Sequence, residues 1–328
     1  MSEIHRFLFE GLPVRGLLVR LTDAWTDILQ RRAHSATGAY APPVRDLLGE
    51  MLAAAVLMQS NIKFNGALVL QILGDGPLKL AVAEVQSDLR LRATAHVQGT
   101  VPQTAALEDL VNLHGLGRCA VTLDPQDRLP GQQPYQGVVP LTDTDGRRAP
   151  SMAAALQLYM RQSEQLETTL VLAADERVAA GLLIQRLPVE GVANLAGQDP
   201  AEAERLRAQQ QEDYERIALL ASSLKREELL TLDADRILHR LFWQERLQQL
   251  EPAAQGHAPR FACTCSRERV SAMIRGLGQQ EAREILAERG AIEVDCDFCG
   301  AHYRFDDIDI TRLFMQTPDQ PPSSATLQ

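Results

Sequence analysis

Residues 260–305 read RFACTCSRERVSAMIRGLGQQEAREILAERGAIEVDCDFCGAHYRF, and this stretch contains four of the five cysteines in the chain. They form two close pairs, Cys263-Thr264-Cys265 and Cys296-Asp297-Phe298-Cys299, with thirty residues between the pairs. Two thiol pairs separated by a folded insert can supply four sulfur ligands to one tetrahedral Zn²⁺. The spacing therefore predicts one zinc ion per chain, bound by Cys263, Cys265, Cys296 and Cys299.

The same spacing is compatible with three kinds of site. A redox-inert structural zinc site is the commonest use of such a pattern. Because the thiolate is both the zinc ligand and the form that oxidants attack, the site could also sense oxidation. A thiol oxidoreductase is less favoured, since the second pair follows no βαβ unit of the thioredoxin kind. Spacing alone leaves these alternatives open.

Other candidate ligands and catalytic groups are weaker. His302 and His257 could each replace a sulfur ligand, but four cysteines already complete a tetrahedron, and we expect both histidines to be bystanders. Cys119 lies in an apolar, strand-like run and is predicted to be a small buried residue rather than a reactive thiol. The sequence contains no P-loop, dinucleotide-binding fingerprint, paired-histidine hydrolase helix or serine-nucleophile elbow. We therefore expect no catalytic residues and no enzyme activity.

Composition excludes several classes of protein. The 328 residues carry a formal net charge of −10, and 45% of them are apolar, enough for at least one sizeable core. The acidic balance disfavours a nucleic-acid-binding surface, because such surfaces concentrate cations. No apolar run has the length of a signal peptide or a membrane span. We expect a cytoplasmic protein without a membrane partner, in a reducing compartment where clustered cysteines serve metal or redox chemistry.

Sequence character divides the chain into four segments. Residues 1–188 mix short β-rich runs with a few helical segments, which predicts an N-terminal α+β domain. Residues 189–258 predict a metastable helical linker, because Ala201–Leu250 is almost wholly helix-forming but its first half has few apolar anchors. Residues 259–316 predict a small zinc-binding domain, and residues 317–328 predict a disordered tail.

Local patterns predict individual elements. The candidate strands of the first segment are residues 7–9, 16–21, 67–73, 78–83, 89–94, 119–123 and 181–187. The turn Gly74-Asp-Gly-Pro77 predicts an antiparallel hairpin, and Val44–Met58 predicts a helix buried in the core. Met152–Gln165 predicts a second helix.

The zinc-binding segment has its own local signals. Ser266 is predicted to cap a helix that ends at Gly276, and Gly290 to stop a second helix over Gln279–Arg289. Two short strands, residues 291–294 and 302–305, are predicted to flank the second cysteine pair as a zinc-knuckle hairpin.

Six motifs carry a resemblance to a known family. They are Gly74–Pro77, Tyr135–Val139, Tyr159–Leu166, Glu227–Leu232, Cys263–Arg269 and Cys296–Gly300. Together they resemble the thirty-three-kilodalton heat-shock protein (Hsp33) family of bacterial redox-regulated holdase chaperones, over about His5 to Leu313. The resemblance implies an α+β core domain, a helical linker and a C-terminal zinc redox switch. The chain departs from the usual pattern by extra residues at 32–41, 124–133 and 191–211.

The resemblance also implies a mechanism. It implies that the reduced, zinc-bound form is inactive and that oxidative stress forms two disulfides, Cys263 with Cys265 and Cys296 with Cys299. Zinc is then released, the switch domain and linker unfold, and the exposed surface binds unfolding client proteins without ATP, as a homodimer. The alternative is a constitutive structural zinc-ribbon adaptor protein.

Overall fold

The computed structural model describes residues 1–35, 37–128, 131–143, 145–188, 200–250 and 258–315, without the side chains of 200–203. The predicted tail at 317–328 and the side chain of His257 lie outside the described residues. The chain divides into two compact units, Met1–Ala262 and Cys263–Gln328, called here the first and second units.

Strands and helices are mixed throughout the first unit. Its strands are β1 (Glu3–Phe9), β2 (Val14–Leu21), β3 (Gly66–Leu73), β4 (Leu78–Gln86), β5 (Arg90–Val97), β6 (Arg118–Pro125), β7 (Tyr135–Val139), β8 (Thr168–Ala174), β9 (Ala179–Arg186), β10 (Leu247–Leu250) and β11 (Arg260–Phe261). Its helices are α1 (Asp23–Ala33), α2 (Pro42–Asn61), α3 (Leu107–Val111), α4 (Met152–Gln162), α5 (Pro200–Ser222), α6 (Arg226–Thr231) and α7 (Ala234–Phe242). The predicted α+β class is confirmed.

Within the described residues, the strands of the first unit form two sheets. The first sheet has the order β10-β1-β2-β9-β8, and all of its neighbouring strands are antiparallel. The second sheet has the order β11-β5-β4-β3-β6-β7, and only β11 lies parallel to its neighbour. The predicted hairpin at Gly74–Pro77 is confirmed, because it joins the antiparallel strands β3 and β4.

Helix α2 packs against strands of both sheets and forms the centre of the main core. From Val44 to Met58 its apolar side chains are buried on all sides, and those of Leu48, Met51 and Val56 are fully inaccessible. A helix that is apolar all round must be surrounded to avoid exposing that surface to water. The predicted buried helix is confirmed, with wider bounds than Val44–Met58.

Helices α5–α7, which belong to the segment predicted as a linker and called the linker below, pack on the face of the first sheet that points away from α2. Apolar side chains of the sheet and the linker share a second core, which includes Phe7, Phe9, Leu18, Leu182 and Ile184 from the sheet and Tyr214, Ile217, Leu229, Leu241 and Phe242 from the linker. Residues 204–209 of α5 are exposed, as their lack of apolar anchors predicts. The prediction of helix through Leu250 was wrong, because residues 247–250 form β10, where pairing with β1 overrides helix propensity.

The second unit is small and is built around its cysteines. Its elements are α8 (Arg267–Leu277), α9 (Gln279–Arg289), β12 (Ile292–Asp295), β13 (His302–Phe305) and α10 (Asp307–Met315). Gly290 has φ 73° and ends α9 as predicted. The predicted end of α8 at Gly276 was wrong: the helix continues to Leu277, and Gly278, at φ 95°, takes the conformation that ends it.

Candidate metal centre

The four predicted zinc ligands converge at one site in the second unit. The Sγ atoms of Cys263, Cys265, Cys296 and Cys299 all lie within 4.8 Å of one another. Two of these distances are 3.6 Å, from Cys263 to Cys296, and 3.3 Å, from Cys265 to Cys299. In the described ranges, no other group of three or more His, Cys, Asp and Glu side chains is close enough together to hold a metal ion.

The arrangement fits a tetrahedral metal ion. With a Zn–S bond of about 2.3 Å, the sulfurs of a tetrahedral site lie about 3.8 Å apart. The 3.3 and 3.6 Å distances lie just below that value, and the 4.8 Å upper limit lies above it. Four thiolates are also the soft donor set that structural zinc sites use. These residues could therefore hold zinc with only small movements of the side chains.

The first cysteine pair lies on an extended segment between β11 and α8. Because side chains two residues apart in an extended chain point to the same side, Cys263 and Cys265 face the site together. The Ser266 side chain accepts a hydrogen bond from the Arg269 amide at 3.3 Å, which caps α8 and ends the extended segment, confirming the predicted cap. Arg269 also donates to Thr264 Oγ1 at 2.7 Å, which holds the residue between the two cysteines.

The second pair lies in the turn that joins β12 and β13. The Cys296 amide donates to the Ala301 carbonyl at 2.9 Å, and the Gly300 amide donates to the Cys296 carbonyl at 2.8 Å. Gly300 has φ 72°, a conformation that glycine adopts without strain. Asp295 pairs with His302 across the hairpin. The predicted zinc-knuckle hairpin is thus confirmed as a backbone feature.

The thiols differ in pKa because their surroundings differ. Partial burial opposes ionisation of Cys265, but hydrogen bonds from the Tyr303 hydroxyl, at 3.1 Å, and from the neighbouring thiols lower the pKa of Cys265 to about 7. Burial raises the pKa of Cys296 and that of Cys299. The hydrogen bond to Cys265 in turn raises the pKa of Tyr303 to about 12. Before any metal binds, Cys265 is therefore the thiol with the most thiolate character of these three.

Sequence analysis did not identify Tyr303 as part of the site. Its hydroxyl contacts Cys265 only because β13 folds back beside the first cysteine pair. Its position four residues after Cys299 could have indicated that its hydroxyl reaches one of the four sulfurs.

A single arginine ties the elements around the site together. Arg267, directly after the Ser266 cap, donates to the Arg304 carbonyl at 2.9 Å and to the Asp309 carboxylate at 2.8 Å. Its guanidinium also lies 4.2 Å from the centre of the Phe305 ring. The start of α8 is thereby connected to β13 and α10.

The other predicted bystanders lie elsewhere. The Nδ1 atom of His302 lies 2.7 Å from the Asp295 carboxylate and is not part of the sulfur cluster. Cys119 lies in β6 with no exposed surface, and burial raises its pKa to about 12. The prediction that Cys119 is a buried apolar residue is confirmed.

Comparisons with known proteins agree with this architecture. A family model described as Hsp33 protein matches residues 2–306. A protein named 33 kDa chaperonin from Chromobacterium violaceum is 42% identical over 95% of this chain and 94% of its own length. A 33 kDa chaperonin from Shewanella woodyi is 38% identical over 96% of each chain.

A solved structure shows the same fold. The crystal structure of a 33 kDa chaperonin from Thermotoga maritima matches with a TM-score of 0.69 over 96% of this chain and 98% of the other, at 20% identity. The family model and the full-length relatives extend the agreement from fold to sequence, including the region of the four cysteines. This chain is therefore a member of the Hsp33 chaperone family.

Proposed function

We propose that this protein is a redox-regulated, ATP-independent holdase chaperone. In its reduced form, Cys263, Cys265, Cys296 and Cys299 hold one Zn²⁺ and the chaperone is inactive. Oxidation converts the cysteines to two disulfides, frees the ion, and unfolds the second unit together with the linker. The apolar surface that this exposes binds unfolding proteins and prevents their aggregation. Membership in the Hsp33 family and the cluster of four thiols support this proposal.

One observation carries the proposal. Four thiols from two distant chain segments come together in a unit that has a very small core. The buried apolar side chains of that core are Val270, Ile274, Ala282, Ile292, Phe305, Ile310 and Leu313. So small a core supplies little net stability after the cost of chain entropy. Zinc bound by four thiolates contributes about 10 to 16 kcal/mol of apparent binding free energy in comparable small modules. Loss of the sulfur ligands would therefore unfold the second unit.

Peroxide can serve as the oxidant, because it accepts the electrons that the thiolates lose. In each pair two thiolates give up two electrons and form one S–S bond, while the O–O bond of one peroxide breaks and takes up two protons to give two waters. Two peroxides thus consume all four thiolates. A disulfide sulfur carries no thiolate charge, so the ligands that would hold the ion are lost in the same step.

Two different disulfide pairings are within reach in the folded site. The 3.3 and 3.6 Å contacts join cysteines of different motifs, whereas the proposed disulfides form within each motif. Unfolding leaves a long loop between the two motifs, but only one or two residues lie between each cysteine and its motif partner. Because the entropy of closing a loop grows with its length, the pairs Cys263–Cys265 and Cys296–Cys299 are favoured as the unit opens.

The linker covers the surface that a client would need. Phe7, Phe9 and Leu18 of the first sheet are buried beneath Ile217 and Phe242 of the linker. Helix α5 is exposed over residues 204–209 and so contributes little packing there. Release of α5–α7 would uncover a continuous apolar sheet face, the kind of surface that binds other polypeptides.

The proposed partners are unfolding client proteins and, in the active form, a second copy of the chain. The net charge of −10 argues against nucleic acid as a partner. Among the described residues, no helix combines the length and apolar character that a membrane crossing requires. We place the protein in the cytoplasm, where reduction keeps the thiols available until oxidative stress occurs.

The proposal is tested by measuring suppression of client aggregation. The full chain is assayed against a thermally unfolding client, first reduced with zinc and then after peroxide treatment at mildly elevated temperature. We expect suppression only by the oxidised form, with one zinc per chain released to a chromogenic chelator. Equal suppression by both forms, or zinc retained after all four thiols have reacted, would contradict the mechanism and favour a constitutive zinc adaptor.

A variant of the fifth cysteine provides the control. Cys119→Ala removes a thiol that is fully buried in the main core, so we expect unchanged zinc content and an unchanged response to peroxide. A lost response in this variant would show that Cys119 takes part in the switch.

A further inference from the structure

Both sheets of the first unit end in a short strand from the same stretch of chain, residues 247–261. Strand β10 covers the edge of β1, and strand β11 covers the edge of β5. The covered strands are seven and eight residues long, whereas β10 has four residues and β11 has two. Because an uncovered edge offers a row of unpaired amides and carbonyls, it pairs readily with another chain.

Strand β10 is held on β1 mainly by its backbone. Gln248, Gln249 and Leu250 are exposed, and only Leu247 is partly buried against the second core. Their side chains therefore contribute little to the pairing. The pairing with β1 therefore places few requirements on the side chains of β10.

The direction of the hydrogen bonds on β1 follows from its register. The Glu10 amide donates to the Arg246 carbonyl at 2.9 Å, which continues the ladder between β1 and β10. Since backbone groups alternate sides along a strand, the amides of Arg6 and Leu8 also face β10. The amides of Phe7 and Phe9 face β2 instead.

We propose that the edge of β1 is a client-binding site of the active form, an inference that rests on the proposed function. When the linker unfolds, β10 leaves, and an extended segment of the unfolding client adds to β1 as an antiparallel strand in its place. Main-chain hydrogen bonds supply the attachment, as in other cases of strand addition, and are the same for every sequence. This explains how a single site can accept many different clients.

Side chains add a preference for one class of segment. Phe7 and Phe9 lie on the strand itself, and their rings belong to the second core that α5–α7 cover. Alternate side chains of an added strand point to that face, as Leu247 does opposite Phe9. The site thus suits segments in which apolar residues alternate with polar ones, the pattern of β-strands that have lost their own sheet.

Residue-resolved amide hydrogen exchange on the full-length protein tests this inference. The probe is a short peptide in which valine alternates with threonine, with a lysine at each end for solubility. We expect the Arg6 and Leu8 amides to exchange about tenfold faster or more after oxidation, and the peptide to slow them by a similar factor. The Phe7 amide, which faces β2 where Phe7 is paired with Gly16, serves as the internal control and should stay protected throughout.

A second peptide isolates the main-chain contribution. Methylation of every valine and threonine nitrogen keeps the side chains but replaces each amide donor by a methyl group that would clash with the paired strand, so this peptide should leave Arg6 and Leu8 unprotected. Equal protection by both peptides would overturn strand addition.

Aggregation suppression, measured on the same samples, separates failure of this inference from failure of the proposed function. Suppression by the oxidised protein while Arg6 and Leu8 remain unprotected by the peptide would overturn the edge site but leave the holdase function intact. The absence of suppression would overturn the function itself. Protection that returns without peptide and increases with protein concentration would assign the edge to a second copy of the chain, and would also overturn client binding there.

Discussion

At the residue scale, Arg226 attaches the linker to the buried helix α2. Its guanidinium lies 2.9 Å from the Asp46 carboxylate and 3.8 Å from that of Glu50, and it also donates to the Ala174 carbonyl. The Glu50 side chain is only one-fifth exposed. Burial raises the pKa of Glu50 to about 7, an effect that Arg226 opposes and Asp46 increases. A titrating carboxyl group thus lies directly beneath the linker.

Glu50 should make the stability of the reduced protein depend on pH. Its folded-state pKa of about 7 lies above its ordinary value of 4.5, so the folded state binds more protons between these values. The free energy of unfolding therefore falls as pH rises through this window, by on the order of 1 to 3 kcal/mol. Glu50→Gln should flatten this part of the profile in thermal unfolding measured from pH 4.5 to 8. Glu227→Gln, an exposed carboxylate on α6, is the control; an unaltered slope in the Glu50 variant would refute the assignment.

At the element scale, β10 is the part of the linker whose attachment can be changed most selectively. Leu8 is paired with Gln248, and the ladder places the Gln248 amide towards β1 but the Gln249 amide away from it. Both side chains are exposed, so a proline at either position removes little packing. The two positions differ mainly in whether proline removes a hydrogen bond.

Gln248→Pro should therefore release β10 more easily than Gln249→Pro. We expect a loss of about 1 to 3 kcal/mol in β10 attachment for the first variant and much less for the second. The measurement is the lowest temperature at which peroxide-treated protein suppresses client aggregation, with zinc content confirmed in each variant. A lower threshold in Gln248→Pro alone is the expected result, whereas equal thresholds in both variants would show that β10 does not restrain the linker.

The helices and strands also show where local sequence is informative. Helix α2 and the hairpin of β3 and β4 were predicted correctly, because one has an uninterrupted apolar run and the other a specific turn sequence. Strand β10 was predicted as helix, because its residues are good helix formers and its pairing partner β1 lies more than two hundred residues away in the sequence. A local sequence pattern cannot reveal a pairing strand that is so distant in the sequence.

At the scale of the whole molecule, the two units should respond differently to metal removal. The first unit has a large core around α2, whereas the second has few buried apolar residues. Treatment of the reduced protein with a strong chelator should therefore unfold residues 263–315 while α2 and its neighbouring strands stay folded. Hydrogen exchange of α8 and α9, compared with α2, measures this directly. Persistent protection of α8 and α9 without metal would mean that the sulfur site does not stabilise the second unit.

The sequence by itself determined the α+β class, the buried helix and the grouping of four cysteines, because each is recorded in short motifs or in an uninterrupted local pattern. Tertiary structure alone decided that Tyr303 contacts Cys265, that Glu50 lies beneath Arg226, and that β10 and β11 cover the sheet edges. These contacts join residues that are distant in sequence. Their positions depend on strand register and on which surfaces pack together, and burial and pairing set those only after the chain has folded.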